Sequence, residues 1–219
     1  MNSVYYLGRI VAVGVTPSGK VAALYRVSSR SFPNRIAIAA ANGKCVSIVP
    51  KPGHETDIAK NPYIAYNCAR VERGIAILAN GSHTDPIAEK IAMGMPVRDA
   101  IGLSLLAMDY EKDDYDTPRI VAVADPENGT GWLGTIRKNG LDVREFVLKP
   151  GTVVHVSTYE HDIPETSRIS TFTAESAEDA CGFILEEGVF AGFTNPVTAV
   201  AAVAGKDGFT LAMRDAVRG

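Results

Sequence analysis

The sequence predicts an α+β layered sandwich, two stacked and mainly antiparallel sheets covered by helices, and three observations carry that expectation. Short β-rich runs recur in pairs joined by turn signals, and helical periodicity is confined to three places. The two kinds of segment do not alternate as a parallel βαβ sheet requires. Several strands are apolar at nearly every position, as in Val197-Thr-Ala-Val-Ala-Ala-Val203, which points to burial on both faces.

Along the chain, Tyr6 to Val15 and Val21 to Val27 flank Pro17-Ser-Gly19, and Ile36 to Ala41 and Cys45 to Val49 flank Asn42-Gly43. Both pairs read as hairpins. Ile64 to Val71 with Ile75 to Ala79 across Arg73-Gly74 make a third, Gly131 to Arg137 with Leu141 to Leu148 across Asn139-Gly140 a fourth, and Val197 to Val203 with Phe209 to Met213 across Lys206-Asp-Gly208 a fifth. Ile120 to Ala124 and Val153 to Ser157 are further strands. The first helix has Asp85 as N-cap and Pro86 at its first position, with Ile87, Ala88 and Ile91 on the buried face. The second runs from Val97 to about Tyr110, separated from the first by Gly94 and Pro96. The third follows Thr173, carries Ala177, Cys181, Ile184 and Leu185 as its apolar stripe, and ends near Gly188.

At 219 residues and 46% hydrophobic the chain can bury one sizeable core, so a single domain over 1–219 is expected. A net charge of −3 provides no global basic field, so neither nucleic acid nor a membrane is an expected partner, and any anion site must be local. The apolar stretches are too short to span a bilayer and the start does not resemble a secretory signal, which together predict a cytoplasmic protein. Cys45, Cys68 and Cys181 are odd in number and without a Cys-x-x-Cys pair, so they read as buried thiols. No metal-ligand spacing, phosphate-binding glycine fingerprint or serine-nucleophile signature occurs, and neither a metal nor a cofactor is expected.

Four polar islands carry the chemistry. Arg26-Val-Ser-Ser-Arg30-Ser-Phe-Pro-Asn-Arg35 places three guanidiniums and three hydroxyls between two strands, the composition of a phosphate or carboxylate site. In Asn61-Pro-Tyr-Ile-Ala-Tyr66-Asn67-Cys68, a strand phenol beside an amide could relay protons or orient a carbonyl. Asn80-Gly-Ser-His83-Thr-Asp85 leads into a helix N-terminus, where Asp85 reads as the cap and Asn80 and His83 as possible substrate contacts. Asp109-Tyr-Glu111-Lys-Asp-Asp-Tyr-Asp holds five carboxylates in eight residues after a helix, where acidic groups need a compensating partner; the arginines of 26–35 are candidates.

At these islands, and at the opening Tyr6-Leu-Gly-Arg-Ile, the chain resembles the archaeal IMP cyclohydrolase family, closely over most of the chain and more loosely from about residue 126. The resemblance implies the four-layer αββα sandwich of N-terminal-nucleophile (Ntn) hydrolases. It also implies closure of 5-formamidoimidazole-4-carboxamide ribonucleotide (FAICAR) to inosine monophosphate (IMP) with loss of water. Those hydrolases use a mature N-terminal nucleophile, whereas this sequence opens Met1-Asn-Ser3 and would need two residues removed to expose Ser3. Ring closure needs no protein nucleophile, and that departure favours the cyclohydrolase reading. The resemblance implies Tyr66 and Glu111 as proton-transfer groups and Arg26 at the reacting carbonyl. Arg30 and Arg35 then hold the 5′-phosphate with Ser28, and Asn67 and Asn80 hold the base. A small nucleotide substrate and a homo-oligomer are expected. An Ntn-type amide hydrolase and a non-catalytic nucleotide or RNA binder are the alternatives.

Overall fold

A computed structural model describes residues 5–217, so Ser3 lies outside the described residues. The chain begins with strand β1 (Ile10–Val15), then β2 (Val21–Ser28), β3 (Arg35–Ala39) and β4 (Cys45–Pro50). A single-turn helix α1 (Asp57–Lys60) leads to β5 (Tyr66–Glu72) and β6 (Ile75–Ala79), followed by the helix pair α2 (Thr84–Ala92) and α3 (Val97–Met108). Then come β7 (Arg119–Asp125), β8 (Thr130–Arg137), β9 (Gly140–Phe146), β10 (Thr152–Ser157) and the short β11 (Ser170–Thr171). Helix α4 (Ala177–Glu186) precedes the closing hairpin of β12 (Pro196–Gly205) and β13 (Gly208–Asp215).

Six strands form one sheet in the order β11-β10-β1-β2-β12-β13, and seven form the other, from β3 to β9 in sequence order. Every pairing between these strands is antiparallel, and the five expected hairpins are present. Strand periodicity separates three apolar layers. In β1 and β2, Val11, Val13, Ala23, Tyr25 and Val27 face a core shared with the second sheet, to which Leu78 and Ala122 of β6 and β7 also belong. The alternate residues Ile10, Ala12, Ala22 and Leu24 pack under Ala177, Cys181, Ile184 and Leu185 of α4. On the far side, Ile77, Val121 and Val123 pack under Ile87, Ala88 and Ile91 of α2 and Ile101 and Leu105 of α3. The arrangement is helix, sheet, sheet, helix, with the inner strands buried on both faces. Fully burying one such Val or Ile stabilises the fold by about 1.5–3 kcal/mol.

Three local expectations are corrected. Residues 6–9 are not part of β1, and β5 starts at Tyr66 after a 3-10 turn at Pro62–Ile64. Helix α2 starts at Thr84, and Asp85 accepts from Asn67 and Arg70 instead of capping it. Helix α4 is capped by Ser176, whose hydroxyl accepts from the Asp179 amide while the Asp179 carboxylate accepts from the Ser176 amide. No described helix is long and apolar enough to cross a membrane.

Candidate active site

The strand ends that carry the polar islands meet at one end of the sandwich. Tyr66 opens β5, which runs antiparallel to β6, so its end of the sheet is also where β6 finishes before Asn80 and where β7 begins at Arg119. In the other sheet Ile10 pairs with Arg26, placing the start of β1 and the end of β2 together. The connection 29–34 passes from β2 of one sheet to β3 of the other.

Inside this end lies a buried ionic cluster. Helix α3 stops at Met108 because Asp109 takes φ 56 and turns the chain back, and the turn is closed by the Glu111 amide donating to the Thr117 carbonyl at 2.9 Å. Thr117 donates its hydroxyl and amide to the Asp113 carboxylate. Arg119 donates Nε to the Asp109 carbonyl at 2.7 Å. The Glu111 side chain, 1% exposed, is thereby directed inward, where Oε2 accepts from Arg9 Nη2 at 2.7 Å and Oε1 lies 3.8 Å from Arg119 Nη1. The cations that compensate the acidic run are therefore Arg9 and Arg119 at Glu111, Lys112 at Asp109 and Lys138 at Asp116, not the arginines of 26–35. Burial pushes the Glu111 carboxyl above its usual range, and the two guanidiniums oppose that shift. Burial opposes charging Arg9, but Glu111 and the nearby phenols of Tyr66, Tyr25 and Tyr159 hold it above its ordinary value, so it stays a cation.

Arg9 is placed by Gly8, which has φ +71; a Cβ there would collide with the Thr158 hydroxyl and meet the Tyr159 ring at 2.8 Å. That contact explains the glycine in Tyr6-Leu-Gly-Arg-Ile. Tyr66 and Tyr25 project from facing sheets and share a hydrogen bond of 2.5 Å between their hydroxyls. Burial raises the pKa of both, Tyr25 strongly, against the pull of Arg35 and Arg9 on Tyr66. Both are neutral phenols able to donate. Tyr159 shares a hydrogen bond with the Thr117 hydroxyl at 3.2 Å at the rim, beside a surface cavity of 400 Å³.

The remaining expected site residues divide into two groups. Arg35 is 2% exposed, donates Nε to the Phe32 carbonyl, and has no carboxylate partner among the described residues; Arg30 is exposed and stacks 4.2 Å over the Tyr6 ring. These two flank the crossing loop and remain available to an anion. Arg26 is turned the other way. It follows inward-facing Tyr25 and so points under α4, where its guanidinium donates to the carbonyls of Ile184, Leu185, Phe190, Phe193 and Thr194 and to the Ser28 hydroxyl. Burial lowers its pKa to about 10, which leaves it charged at neutral pH with its donors committed. Arg26 and Ser28 therefore hold the end of α4 and do not reach Tyr66. Asn67 also faces outward, accepting from Ser47 and donating to Asp85. Asn80 is fully buried, donating to the Pro118 carbonyl and accepting from the Ile120 amide, so it ties β6 to β7. Neither amide is left to hold a base.

Sequence reasoning left Arg9, Arg119, Tyr25 and Tyr159 unassigned. Strand parity was the usable signal, since 21, 23, 25 and 27 share a face, but a strand apolar on both faces does not reveal which side is the interior. Two larger surface cavities lie elsewhere. One of 550 Å³ is lined by Ile75 and Asp125 at the opposite ends of β6 and β7, and an apolar one of 740 Å³ lies along α3 at Leu103 and Leu106. Neither collects the convergent buried titratable groups found around Glu111.

The family described as IMP cyclohydrolase-like protein matches residues 6–208 of the chain. The IMP cyclohydrolase of Methanosphaera stadtmanae is 49% identical over 197 residues, covering 90% of this chain and 93% of the relative. That of Methanocella arvoryzae is 47% identical over 206 residues, 94% of this chain and 96% of the relative. That of Halobacterium salinarum is 46% identical over 187 residues, 85% and 89% of the two chains.

Proposed function

The chain belongs to the IMP cyclohydrolase-like family, and from that premise we propose that it is an IMP cyclohydrolase whose reaction centre is the Tyr66, Glu111, Arg9 and Arg119 cluster. The reaction joins the carboxamide nitrogen of FAICAR to its formyl carbon. The formyl oxygen takes up two protons and leaves as water, while the carboxamide nitrogen gives up one proton and the formamido nitrogen the other as the ring forms. The protein must hold the two groups in register, accept a proton from nitrogen and protonate the departing oxygen.

The single observation that carries the reading is a buried carboxylate with one oxygen on Arg9 at 2.7 Å, set beside a neutral tyrosine pair at the junction of the two sheets. Glu111, with its carboxyl raised toward neutrality by burial, is the group that takes the nitrogen's proton. Tyr66, backed by the hydroxyl of Tyr25, donates to the formyl oxygen as charge builds there. Arg9 supports the negative charge from the same side, replacing Arg26 in that role. Arg35, with Arg30 nearer the surface, receives the 5′-phosphate; a phosphate seated between two guanidiniums gains charge-assisted and bidentate bonds. The substrate is a small nucleotide, and closure neither oxidises it nor passes a group to another molecule.

Arg35→Ala and Arg30→Ala test the phosphate assignment. Both are expected to raise KM by about tenfold or more, with kcat reduced less, because a remote anion contact is made equally in ground and transition states. Normal KM with abolished turnover would transfer these arginines to the chemical step.

A further inference from the structure

We propose that Gly81, His83, Arg119 and Glu111 build a site for one ordered water, and that His83 is a positioning residue that holds the Glu111 carboxylate through it. His83 is fully buried where α2 begins, with Nε2 3.0 Å from the Ile120 carbonyl. A carbonyl can only accept, so the proton sits on Nε2 and Nδ1 presents a lone pair. Burial, assisted by Arg119, lowers the imidazole to about 3, which keeps that lone pair free at working pH.

Nδ1 has no hydrogen-bond partner among the described residues, and the same is true of Glu111 Oε1 and Arg119 Nη1. All three converge on the open face of Gly81. A Cβ on this residue would stand 2.8 Å from Arg119 Nη1, 3.2 Å from His83 Nδ1 and 3.4 Å from Glu111 Oε1. Any other residue would fill the cleft that these atoms share. Arg119 Nη1 and Glu111 Oε1 are 3.8 Å apart, beyond a direct hydrogen bond and suited to a shared bridging atom.

The balance of donors and acceptors selects the occupant. The cleft offers one donor atom, Arg119 Nη1, and two acceptor atoms, and a water can accept from the first while donating to both of the others. A metal cation would face the guanidinium, and an anion would face two lone-pair acceptors. With Oε2 on Arg9 and Oε1 on this water, the carboxylate is fixed in one plane and its ionised form is favoured. The other charged groups facing it are Arg119 from β7 and Asp113 from its own turn. The water site stands on geometry alone, whereas its consequence for turnover rests on Glu111 being the proton acceptor.

The test joins crystallography to pH–rate profiles. His83→Gln keeps an N–H for the Ile120 carbonyl and removes the Nδ1 lone pair, and Gly81→Ala puts a methyl into the cleft. A crystal structure of the wild type resolving ordered solvent is expected to show density within hydrogen-bond distance of all three atoms, lost in Gly81→Ala. In His83→Gln the acid limb of kcat should move up by about one pH unit, a roughly tenfold loss on the acid side that closes by pH 8, with KM little changed. A residue that merely ties α2 to β7 would leave that limb in place. Wild-type crystals lacking the density, or an unshifted limb in folded His83→Gln, would overturn the proposal. Full activity in Glu111→Gln would defeat the catalytic reading while leaving the density as an independent result.

Discussion

Removing Arg9 isolates the ion pair on which the site depends. Arg9→Met replaces the guanidinium with an apolar side chain of similar length. Glu111, 1% exposed, is then left with Arg119 at 3.8 Å as its nearest cation. Breaking a buried pair from one side costs about 3–5 kcal/mol, because the surviving charge has lost its water and gained nothing. Glu111→Gln leaves Arg9 facing an amide oxygen and should cost less, about 2 kcal/mol by loss of one charged hydrogen bond. The double variant should fall short of the sum by about 1.5–3 kcal/mol, the coupling of groups in direct contact. A pH signature accompanies this. Without Arg9 the folded carboxyl rises further above its unfolded value, so Glu111 escapes by staying protonated in the fold. That escape is available below the folded pKa and is lost as pH rises through it, so the Arg9→Met penalty should grow from pH 5 to pH 8. Urea unfolding of the four proteins at both pH values reads all of these terms. Additive losses within about 0.5 kcal/mol, or a penalty independent of pH, would refute the pairing as what holds the buried carboxyl ionised.

Arg26→Met should lower stability by about 3 kcal/mol or more, since it strips the donor from the carbonyls at the end of α4 and leaves them buried. The turnover of the protein that stays folded should remain within about threefold of wild type, measured as kcat per native enzyme. His83 and His155 are both buried and held neutral to about pH 3 by burial, with Arg119 assisting at His83 and His161 at His155. Unfolded histidines take up protons near pH 6.5, so their stabilising contribution is present above that pH and lost as it falls, by about 2 kcal/mol each at pH 5. His155→Phe, in a site already faced by Phe190 and Phe193, should reduce the stability loss between pH 7 and pH 5 by about 2 kcal/mol in urea unfolding; an unchanged loss would exclude His155 as a source.

The layering was legible because hairpins and stripes are local. Asn42-Gly43 and Asn139-Gly140 mark turns, and Ala177, Cys181, Ile184 and Leu185 mark the face of α4 wherever the helix lies. The positions of Tyr66 and Glu111 in one cluster were expected from a resemblance, not from spacing. What stayed illegible is long-range. Arg9 and Glu111 are 102 residues apart and meet only because β1 and β7 lie in facing sheets. Arg26 misled for a related reason. An arginine among serines reads as an anion site, and nothing local shows that five backbone carbonyls of a helix end and the turns after it, 158–168 residues away, already occupy it. Asn67 and Asn80 show the same limit, because an amide's partners across a sheet are set by register.

In the proposed mechanism Glu111 and Tyr66 perform the proton transfers of ring closure. That mechanism is tested most directly by following FAICAR conversion to IMP by ultraviolet absorbance, in EDTA, with wild type, Tyr66→Phe and Glu111→Gln. Metal-independent turnover by the wild type is expected, with losses of about 10²–10⁴ in kcat in both variants, KM little changed and the fold intact. Variants retaining kcat within about threefold of wild type would contradict the mechanism, and so would a folded wild type that leaves FAICAR open.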